Sequence, residues 1–295
     1  MERKVNQNIF ITLEGGEGAG KTTISHKLAK ILRSYGFSVL ETSEPGGTAF
    51  GEDIRKFVMS RDNLDTTTEA LLFAAARHEH SKFLLQTLNE DKEVPTIVIC
   101  DRYVLSSLVY QGLQDKASGG MYPIAAINAN ADILSPDRTY FIDVDPEEGI
   151  KRTLNRSNNN RFDEQPLSYH RSIYNNYALC MKNGRIECTS KGVDLAYNEA
   201  SRSFSTGIIV PIDGMNDIDT IVGDILDDIF ISMDKPTVVP GDRVEIIRLG
   251  NEEKFYGPGD KGTVAFIDDM HSIHVNWDNK GSIALLPECD CWKRL

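Results

Sequence analysis

A nine-residue loop narrows the fold more than any other feature. Residues 15–22 read Gly-Gly-Glu-Gly-Ala-Gly-Lys-Thr, satisfying the spacing G-x-x-x-x-G-K-[ST]. The loop follows a β-rich run, NIFITLE (Asn8 to Glu14), and opens a helical stretch with Ile24, Leu28, Ile31 and Leu32 on one face, closed by Gly36. In a strand–loop–helix context the glycines let backbone N–H groups turn inward around a phosphate, and the helix N-terminus adds partial positive charge. Gly15, Gly16, Glu17, Gly18, Ala19, Gly20, Lys21, Thr22 and Thr23 are therefore the expected contacts to a nucleoside triphosphate, with Lys21 on the β- and γ-phosphates and Thr22 a ligand of Mg²⁺. The loop alone leaves kinases, GTPases, ATPase motors and regulators open.

The pattern around it is that of an α/β protein. Further short apolar runs are FSVLETS (Phe37 to Ser43), PTIVICD (Pro95 to Asp101), RTYFIDV (Arg138 to Val144) and GIIVPID (Gly207 to Asp213), with helical stretches between them over 69–88, from Pro146, and over about 217–232. Five strands separated by helices predict a three-layer fold with a parallel sheet covered on both faces. Residues 184–206 follow neither period and read as an irregular insertion. At MDKPTVVPGD (Met233 to Asp242) prolines and a glycine break the helix, which divides the chain into a domain over 1–233, a linker over 234–239 and a small unit over 240–295. DRVEIIRL, GTVAFID, SIHVNWD and SIALLPE then predict four antiparallel strands in a small barrel.

Charged residues make up 26% of the 295 and apolar ones 40%, without a run of 18 apolar residues or a basic-then-apolar leader, so a globular cytoplasmic protein is expected. Five cysteines without C-x-x-C spacing indicate neither a disulfide framework nor a metal set, and Cys289-x-Cys291 reads as incidental. A net charge of −12 argues against nucleic acid or an anionic membrane as partner. A phosphorylated substrate then needs a local positive site.

Glu17 is unexpected in an anion cradle. A carboxylate about 5 Å from a phosphate repels it by ~1 kcal/mol in water and ~3 kcal/mol at intermediate dielectric. Either it points into solvent or it faces a second ligand, such as a sugar hydroxyl or metal-bound water. Asp101 ends a hydrophobic strand, at the sheet edge where α/β ligands bind, and suits magnesium or its water shell. Arg102 next to it offers a planar fork for an acceptor phosphate; an Asp-Arg surface ion pair is the alternative. Phe73 and Arg77, four apart on one helix, put an aromatic face and a guanidinium side by side, as a nucleobase requires, although Phe73 taken alone reads more readily as core.

With the phosphate loop, EPGGTAFGEDIR (Glu44 to Arg55), LLFAAARHEH (Leu71 to His80) and DRYVLSSLVYQG (Asp101 to Gly112) complete a combination that resembles the thymidylate kinases of bacteria over about residues 8–231. The resemblance implies transfer of the ATP γ-phosphoryl group to dTMP, giving dTDP for dTTP biosynthesis, with Mg²⁺ and in a homodimer. It implies that Glu17 faces the acceptor, that Phe73 stacks on thymine and Arg77 bonds to its carbonyl edge. Ser107 falls on the base-reading position with Gln111 nearby, Tyr110 crowds the sugar 2′ position, and Arg55 lines the acceptor pocket, although an exposed helix arginine is the simpler reading of Arg55 alone.

PEEGIKRTLNRSNNNRFDEQ (Pro146 to Gln165) dissolves from a helix into Ser-Asn-Asn-Asn, with Arg152, Arg156 and Arg161 spaced along it. It resembles the family's arginine lid, over about 150–165, and can also be read as a solvated basic loop. Arg161 and then Arg156 are the expected catalytic arginines beside Lys21 and Arg102, because guanidiniums stabilise charge spread over a transferring phosphoryl group. Family members usually read R-E-P-G-G-T where this chain has Ser43, and Asn160 stands where Asp commonly precedes the lid arginine. These departures keep a 5-substituted deoxyuridylate open as acceptor, and a non-catalytic nucleotide-binding module is the reading from another class. Residues 240–288 resemble a small domain of unknown function of phage and bacterial proteins, SH3-like in pattern, which points to a phage origin. With ten acidic and seven basic residues after Pro236, this tail is expected to bind a protein partner rather than nucleic acid, through an exposed Trp277 or Trp292 unless Trp277 is core.

Overall fold

The computed structural model describes residues 8–61, 64–90, 94–114, 120–154, 162–189, 203–233, 238–249, 256–257, 259–268, 272–278, 280–285 and 291–295. The chain divides into two compact units, Met1–Gly223 and Asp224–Leu295.

The first unit is built on a five-stranded parallel sheet in the order β2-β3-β1-β4-β7, comprising β1 (Ile9–Glu14), β2 (Ser38–Ser43), β3 (Thr96–Asp101), β4 (Arg138–Asp143) and β7 (Ile208–Asp213). These are the five strands expected from the sequence. The central strand β1 is buried along its whole length, as a strand covered on both faces must be. The helices between strands are α1 (Lys21–Ser34), α2 (Ala49–Met59), α3 (Thr66–Asn89), α5 (Met121–Asn130), α6 (Pro146–Leu154) and α7 (Leu167–Met181), with a short α4 (Val104–Ser107) that runs into a π-helical turn over Leu108–Leu113; after β7 comes α8 (Ile218–Met233), within which the division between the units falls. In α1 the residues Ile24, Leu28 and Leu32 face the core and are buried. The α2 and α3 helices begin at side-chain caps, Thr48 Oγ1 accepting from Gly51 N (3.0 Å) and Asp65 Oδ1 from Thr68 N (2.9 Å).

The insertion over 184–206 is not wholly irregular. Its described ends, β5 (Glu187–Thr189) and β6 (Ser203–Ser205), pair antiparallel. Three-residue strands are too short to carry a readable alternation, and their pairing is set by partners distant in sequence.

The second unit contains an antiparallel sheet in the order β11-β10-β9-β8-β12. Its strands are β8 (Arg243–Arg248), β9 (Lys261–Ile267), β10 (Ile273–Trp277), β11 (Ser282–Leu285) and β12 (Cys291–Arg294). Four of them match the alternating runs expected from the sequence; β12, reading CWKR, has no apolar alternation and forms by pairing with β8. Val244, Val264, Val275, Trp277, Leu285 and Trp292 share one core, so both tryptophans are interior and neither offers an exposed partner surface.

Candidate active site

The loop between β1 and α1 lies at the carboxyl edge of the parallel sheet, and its backbone is folded for close approach. Gly18 sits at φ 74°, and a Cβ there would lie 1.9 Å from the carbonyl oxygen of Gly149 in α6. A Cβ on Gly149 would in turn lie 2.5 Å from Glu17 O, so the loop and α6 are packed backbone to backbone. Inside the loop, Lys21 Nζ donates to Gly15 O (3.2 Å) and Gly16 O (2.9 Å). Burial, then the nearby charge of Arg102, brings the Lys21 ammonium down to about 8, against the pull of Asp101, Glu17 and Glu14. Ala19 is buried, whereas Thr22 and Thr23 are exposed at the start of α1. Thr22 Oγ1 donates to Asp101 Oδ2 (2.6 Å), which brings two hard oxygen donors together at the loop mouth, the donor type that magnesium takes.

Glu17 does not point into solvent. Arg102 Nη2 donates to Glu17 Oε1 (2.6 Å), and Tyr110 OH donates to the same oxygen (3.2 Å). Burial pushes this carboxyl up, but Arg102, Lys21 and the Tyr110 hydrogen bond outweigh it and leave it below the usual carboxylate range. The surface-pair alternative for Asp101 and Arg102 is likewise set aside, since Arg102 turns to Glu17 and Asp101 to Thr22.

Arg102 adopts φ 68°, a left-handed backbone that costs a non-glycine residue about 1–2 kcal/mol. The conformation is held by Arg102 N donating to Leu13 O (2.9 Å) and by Nη1 donating to Gly15 O (3.1 Å) and Ser106 Oγ (3.2 Å). Behind it, Glu14 is fully buried and accepts from Tyr103 N (2.8 Å), Ser106 N (3.1 Å), Ser106 Oγ (2.6 Å) and Tyr177 OH (2.9 Å). Burial raises the Glu14 carboxyl despite these bonds.

Two clefts meet at this point. One, on the phosphate-loop side, is lined by Gly18 to Thr22, Ser43 and Asp101; the other is lined by Pro45, Met59, Phe73, Arg77, Ser107, Tyr110, Gln111 and Phe162. Glu17, Glu44, Arg55 and Arg102 line both. Arg55 is half-buried and donates to Pro45 O (3.2 Å), so it is not an exposed helix arginine. Phe73 is both buried and on the cleft wall, which joins its two readings. Arg77 is buried and donates through Nε to Glu44 Oε2 (2.6 Å), through Nη1 to Asn128 Oδ1 (2.6 Å) and through Nη2 to Ser107 Oγ (3.1 Å). Gln111 Nε2 reaches Glu69 Oε2 at 3.4 Å.

Over residues 13–195 the chain matches the family model described as Thymidylate kinase. The chain belongs to the thymidylate kinase family. It is 41% identical over 185 residues to a protein named Thymidylate kinase from Shouchella clausii (strain KSM-K16), covering 60% of this chain and 84% of the relative. It is 44% identical over 179 residues to one of the same name from Bacillus licheniformis, covering 59% and 82%. A second model, Domain of unknown function (DUF4314), matches residues 232–295.

For this thymidylate kinase family member, the sequence left several residues in or behind the clefts unassigned. Glu14 carried a signal, a carboxylate closing an apolar strand next to the loop. Glu44 opens the EPGGT segment, where nothing local gives its carboxylate a role. Asn128, Phe162 and Tyr177 carried no local signal, because only the tertiary fold brings them near. Arg156 and Arg161 lie outside the described residues. Arg152 donates to Glu148 Oε1 (3.2 Å) and Gly214 O (3.2 Å). Among the described residues no helix is long and apolar enough to cross a membrane.

Proposed function

We propose that the chain is a thymidylate kinase in which the two adjoining clefts hold donor and acceptor on either side of Glu17 and Arg102. It transfers the γ-phosphoryl group of ATP to dTMP, giving dTDP and ADP, with Mg²⁺ as cofactor. The observation that carries this reading is that Glu17, Glu44, Arg55 and Arg102 line both clefts, which puts a charged junction between a phosphate cradle and an aromatic-walled pocket.

ATP is held by the backbone of Gly15 to Gly20 and by Lys21, with Thr23 at the start of α1. Thr22 and Asp101 hold the metal or its water shell. Bound there, Mg²⁺ neutralises charge developing on the phosphates. Lys21 is buried, so its charge acts at lowered dielectric on the polyphosphate that replaces its carbonyl partners. Arg102, oriented by Glu17, Gly15 O and Ser106, grips the dTMP phosphate in line with the donor. Arg55 adds positive charge at the junction and compensates for Ser43, which lines the same cleft. Attack is by a phosphate oxygen already ionised at pH 7, so no strong general base is needed. Phe73 stacks on thymine, Arg77, Ser107 and Gln111 read its edge, and Tyr110 crowds the 2′ position. Arg161 and Arg156 supply the equatorial guanidiniums, since the loop has no arginine between Gly15 and Lys21.

The enzyme domain is taken as residues 1–233, because α8 is one continuous helix to Met233. Exposed Phe50, Phe57, Leu71 and Phe83 on α2 and α3 favour a homodimer, which light scattering tests. The tail over 240–295 is a tethering or regulatory unit for a protein partner.

A coupled ADP-release assay with dTMP, dUMP, 5-hydroxymethyl-dUMP and dCMP tests the function. Turnover of dTMP above the others is expected. Turnover of a 5-modified nucleotide alone would replace dTMP as acceptor, and acceptor-independent ATP binding without turnover would favour the non-catalytic module.

A further inference from the structure

We propose that Asn128 is a positioning residue that sets which pyrimidine is accepted, by locking the guanidinium of Arg77; this rests on the reading of Arg77 as the base-reading donor. Asn128 lies on α5, fully buried, and does not line the cleft. Its amide is fixed by its own Nδ2 donating to Ile124 O (2.8 Å), which leaves Oδ1 facing Arg77 Nη1 at 2.6 Å. On the opposite side Glu44 accepts from Arg77 Nε (2.6 Å). Glu44 is itself anchored by His80 Nδ1 (2.8 Å), whose other ring nitrogen meets Thr42 Oγ1 (2.8 Å). Ser107 Oγ takes Nη2 (3.1 Å). Anchors from three segments thus hold a guanidinium carried by α3.

An arginine has five N–H donors and no acceptor. Three of those of Arg77 are occupied, so two remain for a ligand. They pair with a carbonyl at position 4 of a pyrimidine and oppose an amino group there. The opposition discriminates only if the guanidinium cannot swing away from a mismatched base, because a mobile donor finds another partner. The lock on Arg77 turns a donor into a selector.

The test measures kcat and KM for dTMP, dCMP and ATP, with melting temperatures, for wild type, Arg77→Gln, Asn128→Ala, Asn128→Ser and Asn128→Asp. Asn128→Ala is expected to raise the KM for dTMP about tenfold and to lower the dTMP-over-dCMP ratio of kcat/KM by about tenfold or more, with the KM for ATP held. Asn128→Ser reports the same loss with a smaller cavity if the alanine variant does not fold. Asn128→Asp keeps an oxygen acceptor for Arg77 and restores the ratio. A purely structural role lowers melting temperature and turnover of both acceptors alike without moving their ratio, which overturns the proposal. If Arg77→Gln loses discrimination while the alanine and serine variants at 128 keep it, the lock falls alone. If Arg77→Gln keeps it, the base-reading role falls as well.

Discussion

Arg102 and Glu17, 85 positions apart in the chain, meet at 2.6 Å between the phosphate loop and the aromatic-walled cleft. The pair resolves the oddity of a carboxylate in an anion cradle: the charge is neutralised by an arginine that faces the neighbouring site. The pair is only partly exposed, so breaking it leaves a charge short of both its partner and full solvation.

Glu17→Gln should therefore weaken the acceptor side first. Loss of one charge-assisted hydrogen bond, about 1.5–3 kcal/mol, corresponds to roughly a ten- to hundredfold fall in kcat/KM for dTMP. Steady-state kinetics with each substrate varied separately checks this, with the KM for ATP changing less.

Lys21 gives a pH dependence. With its ammonium at about 8 in the free protein, it loses its proton as pH rises through that value, so kcat/KM for ATP should fall on the alkaline side with an apparent pKa near 8. Polyphosphate favours the charged form, which moves the alkaline limb of kcat to higher pH. Profiles of both parameters from pH 6 to 10 distinguish the two shifts.

Gly18→Ala and Gly149→Ala attack one contact from both sides. Each added Cβ meets backbone, at 1.9 Å for Gly18 and 2.5 Å for Gly149, so the loop and α6 must separate. Both variants should bind ATP weakly by calorimetry. By contrast, Gly223→Ala in α8, with nothing within 4 Å, should stabilise the protein by about 0.5–1 kcal/mol through helix propensity.

Trp277→Ala tests the second unit. The side chain is 4% exposed, within a core that has nine buried residues among the described ones, and its removal should cost about 3–5 kcal/mol there. Differential scanning calorimetry should show a lowered transition for the tail, with dTMP turnover retained if the enzyme domain folds independently.

Local sequence determined the strands β1, β2, β3, β4 and β7, the turn of the phosphate loop and the placing of Asp101 at a strand end, because apolar periodicity and glycine spacing act over a few residues. The short strands β5, β6 and β12 stayed hidden, since pairing partners and not their own composition create them. The same distinction runs through the site. The spacing that ends in Lys21 and Thr22 is written in a contiguous motif. That Glu17 turns to Arg102, that Glu14 is buried under Tyr177, and that Asn128 holds Arg77 depend on contacts between residues 51 to 163 positions apart. Whether a polar side chain is solvated or locked is a property of what packs against it, and that was decided only when the sheet brought these segments together.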